Sequence, residues 1–210
     1  LRFTFLCRGA LTLCQQMGWI PDVIHCHDWT TGFIPLLLNT TLRNTPIGRA
    51  ATVFTIHNLE HQGYCDRRAL DFAHVPVAEF RPDSTESHGK VNMMKAGLYH
   101  STKITTVSPT YADEIKAPAG GFGLDGIVNG IDTSIWDPTS DTTIPATYTA
   151  DDLTGKAACK AALQKQLGLA VDDHVALFGV VSRFATQKGL DLLAQCLPSV
   201  LEGMHVQFAV

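Results

Sequence analysis

Two short runs constrain this chain more than anything else in it. Residues 21–29 read Pro-Asp-Val-Ile-His-Cys-His-Asp-Trp, and residues 51–58 read Ala-Thr-Val-Phe-Thr-Ile-His-Asn. Each is a short β-prone apolar stretch that stops abruptly in His, Asp or Asn and then turns. In an open parallel sheet, ligands sit just outside the carboxyl ends of the strands. Two such polar exits therefore predict one shared site, and an enzyme of the α/β class.

The same rhythm continues along the chain. A helix is predicted over residues 1–18, a buried strand over 22–26, and a helix capped by Thr30 running to about Leu42. A strand at 51–56 follows. Residues 60–88 read as an irregular binding loop with short helices. Val91, Met94, Lys95, Leu98 and Tyr99 have helical spacing, and 103–107 is a strand. Ser108-Pro109 is a good helix start, with Ser as cap and Pro in the first turn. A glycine-rich stretch leads to a short strand and turn at 126–132. Residues 137–152, rich in Thr, Asp and Pro, read as a linker. A helix over 154–167 ends at Gly168. Residues 175–181 have a central-strand pattern and leave through Ser182 and Arg183 into a helix at 187–201; another strand begins at 205. Repeated strand–exit–helix units imply parallel βαβ architecture, with a domain boundary near Trp136.

Bulk properties narrow the partners. The chain has 210 residues and a net charge of −4, with no basic tract to neutralise phosphates, which argues against nucleic acid. No apolar run is long enough for a membrane span, so no membrane partner is expected. Arg8 interrupts the opening apolar stretch, which reads as an amphipathic helix and not as a signal peptide. Six scattered cysteines without CxxC spacing read as reduced thiols, fitting a bacterial cytoplasm or a plastid stroma. The first residue is not Met and the last ones read as mid-strand, so the chain is expected to be a fragment.

Arg183 and Lys188 frame the predicted helix start after the 175–181 strand. A planar guanidinium, a mobile ammonium and free helix N–H groups together suit an anion with more than one phosphate; the alternative is a solvated surface pair. His25, His27, Asp28 and His57 allow a metal-dependent hydrolase, although no other carboxylate-rich exit supplies further ligands. Alternation puts His25 and His27 on one face, and one of them could instead be a satisfied core histidine. His57 and Asn58 can both donate and accept, as a polyhydroxylated ligand requires. Asn129-Gly130 alone is a turn signal. The 120–123 glycines lack dinucleotide-fingerprint spacing, and no nucleophile elbow, Walker A loop or kinase set is present.

Taken together and in order, six segments resemble the bacterial glycogen synthase and plant starch synthase family. They are residues 21–29, 53–63, 95–98, 105–112, 129–136 and 182–191, and they cover nearly the whole chain. The resemblance implies a GT-B fold of two Rossmann-like, doubly wound parallel-sheet domains, here incomplete. Residues 1–136 would be the later part of the acceptor-side domain, 137–152 the linker, and 153–210 the start of the nucleotide-sugar domain. It implies a retaining transfer of glucose from ADP-glucose to the non-reducing end of an α-1,4-glucan, glycogen or starch, with no cofactor and no metal. By position, Arg183 and Lys188 match the pair that grips the donor diphosphate, and His57 the histidine beside the transferred glucose. Asn58 matches its neighbour in the sugar pocket, Asp28 the cleft carboxylate, and Asn129 the interdomain asparagine.

The chain also departs from that pattern. It has neither the lysine–glycine–glycine loop nor the later glutamate stretch of the family. Asp125 joins Gly126 directly where relatives have a longer segment, and Thr30 stands where many bacterial members have His. The 210 residues alone are therefore expected to be inactive. Two rivals remain at this stage: the metal-dependent hydrolase, and a non-catalytic glucan-binding truncated paralogue.

Overall fold

A computed structural model describes every residue from Leu1 to Val210. The chain divides into two compact units, Leu1–Gly130 and Ile131–Val210.

The first unit opens with helix α1 (Arg2–Gln16), followed by strand β1 (Val23–His27), helix α2 (Phe33–Asn39) and strand β2 (Ala51–Ile56). Strand β3 (Tyr64–Cys65), helix α3 (Arg68–Ala73) and strands β4 (Glu86–Ser87) and β5 (Lys90–Asn92) come next. Helix α4 (Met93–His100), strand β6 (Lys103–Thr106), helix α5 (Pro109–Ile115) and strand β7 (Leu124–Gly126) complete it. The main sheet has the order β1-β2-β6-β7, and every neighbouring pair is parallel. All four strands therefore exit on one edge, as the parallel reading requires. Phe54 and Ile56 on β2 are fully buried with Phe33, Leu36 and Leu37 of α2 and Met94 of α4. A Cβ on Gly97 would come within 2.4 Å of the Phe54 ring, so this glycine is what lets α4 lie close on the sheet.

Several local expectations need correction. Strand β1 is not buried: it is an edge strand in this sheet, and among its residues only Cys26 is buried. Thr30 does not cap α2, whose N-cap is Gly32 and which has no side-chain cap; Trp29–Thr31 forms a 3₁₀ turn, and α2 stops at Asn39. The last strand of the sheet is Leu124–Gly126, earlier than the 126–132 reading: the register ends with Gly126 opposite Thr106, and Ile127 N–H donates to the Thr106 carbonyl at 2.8 Å. Residues 60–88 do contain short helices, but also a small antiparallel sheet, β3-β5-β4, that the pattern did not reveal. Two- and three-residue strands are too short to show a period.

That small sheet is held by polar contacts. Asn92 caps α4 by accepting from Lys95 N–H at 2.9 Å, and Lys95 Nζ donates to the Glu86 carbonyl at 2.8 Å. Buried Ser84 donates to Glu79 Oε2 at 2.7 Å and lies 2.9 Å from His100 Nε2. This Ser–His–Glu group is a buried brace, since its hydroxyl is closed off from solvent. At α5 the expected start is present: Ser108 accepts from Tyr111 N–H at 3.0 Å and Pro109 sits in the first turn.

The second unit is built differently. Helix α6 (Thr154–Gln166) ends at Gly168, whose φ of 68° suits a left-handed helix end. Strand β8 (Ala176–Gly179) and strand β9 (Val206–Ala209) pair in parallel, with helix α7 (Leu190–Gly203) between them. Within these 210 residues β8 pairs with β9 alone, Phe178 is half exposed and Val181 is fully exposed. Helix α7 begins at Leu190, after a 3₁₀ turn at Thr186–Lys188, so the 187–201 reading starts too early. No helix of the chain is long and apolar enough to cross a membrane.

Candidate active site

Parallel pairing of β1 with β2 sets His27 beside Thr55, so the residues that follow each strand emerge side by side. Backbone and side chains then tie the two exits together. Asp28 N–H donates to the Thr55 carbonyl at 3.0 Å. Asp28 Oδ1 accepts from the N–H groups of His57 at 2.8 Å and Asn58 at 3.4 Å. Asp28 does this from φ 56°, ψ −179°, a backbone region that is nearly confined to glycine. A non-glycine held there is a local strain of about 1–3 kcal/mol, typical of binding sites. Thr31 Oγ1 supports the same turn by accepting from His27 N–H at 2.7 Å.

The imidazoles form a continuous array. His27 Nδ1 and His57 Nε2 are 3.0 Å apart, within hydrogen-bond distance. The His25 and His27 rings face each other with centroids 4.2 Å apart, which matches the same-face reading. His25 Nε2 in turn pairs with Thr55 Oγ1 at 2.7 Å, and Thr55 with Thr105 at 2.6 Å. Burial, with His25 and His57 alongside, pushes the His27 imidazole below its ordinary pKa, while Asp28 acts in the opposite direction. All three histidines are exposed, so none is a core histidine.

This donor set does not fit a metal. No three His, Cys, Asp or Glu side chains converge on one point, because the ring nitrogens face each other or Thr55, and Asp28 faces backbone N–H groups. That geometry does not favour the hydrolase reading. Nor are Cys7 and Cys26 ligands or nucleophiles: burial pushes their thiols up to about 11 and about 12.

Three supports escaped the sequence reading. Tyr111 on α5 places its hydroxyl where Leu59 N–H donates to it at 3.1 Å, and Asn58 Oδ1 accepts from Glu60 N–H at 2.9 Å. Gly63, at φ 66°, lies against Trp29, where any Cβ would come within 2.4 Å of the indole. A Ser-Pro-x-Tyr helix start three residues before a tyrosine carries no hint of the loop it will touch.

Asn129 is exposed, three residues past the end of β7, on the same sheet edge as His57. In the second unit, Arg183 and Lys188 are both exposed and belong to none of the ion pairs in the chain. They precede α7 and do not flank its first turn. Ala185 N–H donates to the Arg183 carbonyl at 2.9 Å and Lys188 N–H to the Ala185 carbonyl at 2.8 Å, tight backbone turns just before the helix.

Parallel α/β units whose strand exits bring imidazoles, an Asp and an Asn together in the first unit fit an enzyme of the doubly wound type. The model of the starch synthase catalytic domain matches residues 1–130, and the chain belongs to that family. It is 45% identical to the glycogen synthase of Anaeromyxobacter sp. (strain Fw109-5), over 95% of this chain and 45% of that protein. It is 42% identical to glycogen synthase 1 of Geobacter metallireducens, over 100% of this chain and 44% of that protein. The catalytic domain of Starch Synthase IV from Arabidopsis thaliana, solved bound to ADP and acarbose, superposes with a TM-score of 0.87 at 37% identity. That match covers 99% of this chain and 45% of the plant domain, in agreement with the GT-B expectation. The chain thus spans under half the length of the curated relatives it matches. Matches to named synthases favour neither the hydrolase nor the non-catalytic module.

Proposed function

We propose that the protein carrying this chain transfers glucose from ADP-glucose to the non-reducing end of an α-1,4-glucan, glycogen or starch, with retention. The observation that carries the reading is the 0.87 TM-score likeness, at 37% identity, to a starch synthase domain solved with ADP and acarbose. The chemistry of the exits is consistent with it. His57 and Asn58 sit beside the transferred glucose, where both donors and acceptors are needed. Asp28 is the cleft carboxylate that also fixes the His57–Asn58 backbone, and Asn129 contributes from beyond the exit of β7, two strands along from β2. Arg183 and Lys188 hold the diphosphate and stabilise the charge that grows on departing ADP, a preorganised electrostatic role. No cofactor or metal is required for these steps. The protein works in the bacterial cytoplasm or in a plastid stroma, and its partners are the nucleotide sugar and the glucan.

The test is to incubate the full-length protein with labelled ADP-glucose or UDP-glucose and a glycogen primer. Label in an α-1,4-linked product that β-amylase releases is the expected result, with ADP-glucose the better donor. Absence of polymer label from either donor rejects the reading.

A further inference from the structure

We infer that His27 is a positioning residue for His57: it clamps the ring of His57 through its Nε2 and so decides what Nδ1 of that ring offers to the substrate. This rests on the reading of His57 as the imidazole beside the transferred sugar. A neutral imidazole carries one N–H, so a bond at one nitrogen sets the role of the other. His27 Nδ1 lies 3.0 Å from His57 Nε2. If His27 donates, His57 Nδ1 carries the proton and faces the sugar as a donor; if His27 accepts, Nδ1 is an acceptor. In both cases the two rings share one tautomeric choice.

The clamp is itself braced. His27 N–H donates to Thr31 Oγ1 at 2.7 Å, and its ring lies against His25 at 4.2 Å between centroids. His25 is tied to Thr55 at 2.7 Å, and Thr55 to Thr105 at 2.6 Å, deep in the sheet. Meanwhile Asp28 holds the His57 backbone through its N–H at 2.8 Å. Backbone and ring of His57 are thus fixed from two neighbouring residues of one strand exit. His27 and His57 are both exposed, so the bond between them is not forced by the need to satisfy a buried group. Its loss leaves water to pair with each nitrogen and costs the fold little, while the orientation of His57 is released.

The experiment compares His27→Phe and His27→Asn with the full-length wild type. Phe keeps a ring against His25 but removes both nitrogens; Asn restores, near the Nδ1 position, an amide that can donate or accept. His27→Phe is expected to lower kcat roughly 10- to 100-fold, in line with the cost of small misplacements in a site, with both KM values nearly unchanged. His27→Asn should recover most of that loss. In ¹⁵N-histidine spectra, the His57 nitrogens should report one tautomer in the wild type and a mixture in His27→Phe. Should the phenyl ring disturb the fold, His27→Ala is read in the same way. An unchanged kcat in the variant lacking the nitrogens overturns the inference, as does an unchanged His57 spectrum. If the wild type transfers no glucose at all, the proposed function fails, yet the spectra still decide the role of His27.

Discussion

The two units of this chain use the same βαβ grammar and arrive at different interiors. In the first, four parallel strands carry α2 and α4, and fully buried Phe33, Phe54, Leu36, Leu37 and Met94 fill the space between them. In the second, β8 pairs only with β9, and Val175 is the one buried apolar side chain. Its other fully buried side chain is polar: Gln164, whose Nε2 donates to the Asp172 carbonyl at 3.0 Å and to Gln207 Oε1 at 2.7 Å. A two-stranded sheet is at best marginally stable without further packing. Within the 210 residues, burial therefore follows the number of neighbours each strand has, four strands sharing one sheet in the first unit and two in the second.

Matched phenylalanines put the largest strain on this contrast. Phe54→Ala removes a fully buried ring from β2 and should cost about 3–5 kcal/mol. Phe178→Ala removes a half-exposed ring that stacks on Phe208 at 5.2 Å and should cost about 1 kcal/mol, close to the value of the aromatic pair. Urea unfolding, followed by probes in each unit, measures both. Similar losses in the two variants would show that the second unit has a core of comparable worth.

The functional side of the comparison rests on charge. Exposed Arg183 in the second unit is free of ion pairs, while Asp28 in the first is bound to backbone N–H groups. Arg183→Ala in the full-length protein should therefore leave the fold intact and lower kcat/KM by about 2–4 kcal/mol of transition-state stabilisation. Steady-state kinetics with ADP-glucose checks this, and an unaltered turnover removes Arg183 from the donor site.

Glycines sharpen the contrast at smaller scale. A Cβ on Gly32 would stand 1.9 Å from the Met93 carbonyl oxygen, a backbone atom that no rotamer change can move. Gly32→Ala should destabilise the first unit by about 1–3 kcal/mol. Gly203 ends α7 with nothing near its Cβ position, so Gly203→Ala should be neutral or stabilise by up to about 1 kcal/mol. Thermal melts of the two variants would separate the cases, and a stabilised Gly32→Ala would mean that α2 and α4 are not closely packed.

Much of this is legible in the amino-acid sequence. The parallel sheet followed from apolar runs with polar ends, and the adjacency of His27 and His57 from two exits of one sheet. Ser108-Pro109 announced α5 because caps are local chemistry. What stayed hidden depends on partners distant in sequence. The exposure of β1 and β8 follows from their having one neighbour each. The Thr105–Thr55–His25 brace and the Tyr111 hydroxyl on Leu59 join residues about 30 to 50 positions apart. Strands as short as β3 and β4 leave no period to read.

The smallest expected effect concerns protons. His100, at the end of α4, is buried, and that burial pushes its pKa below the ordinary value, opposed by Glu79. The unfolded chain therefore binds this proton at higher pH than the folded one. The stability that neutral His100 contributes is complete above its unfolded pKa, about 6.5, and is lost as pH falls through the folded value. More exposed His27 is shifted in the same direction and adds a lesser slope. Urea midpoints of the first unit should fall between about pH 7.5 and pH 5.5, and His100→Gln, which can still pair with Ser84, should reduce that fall. An equal fall in wild type and variant would place the acid sensitivity elsewhere than the Ser84–Glu79–His100 brace.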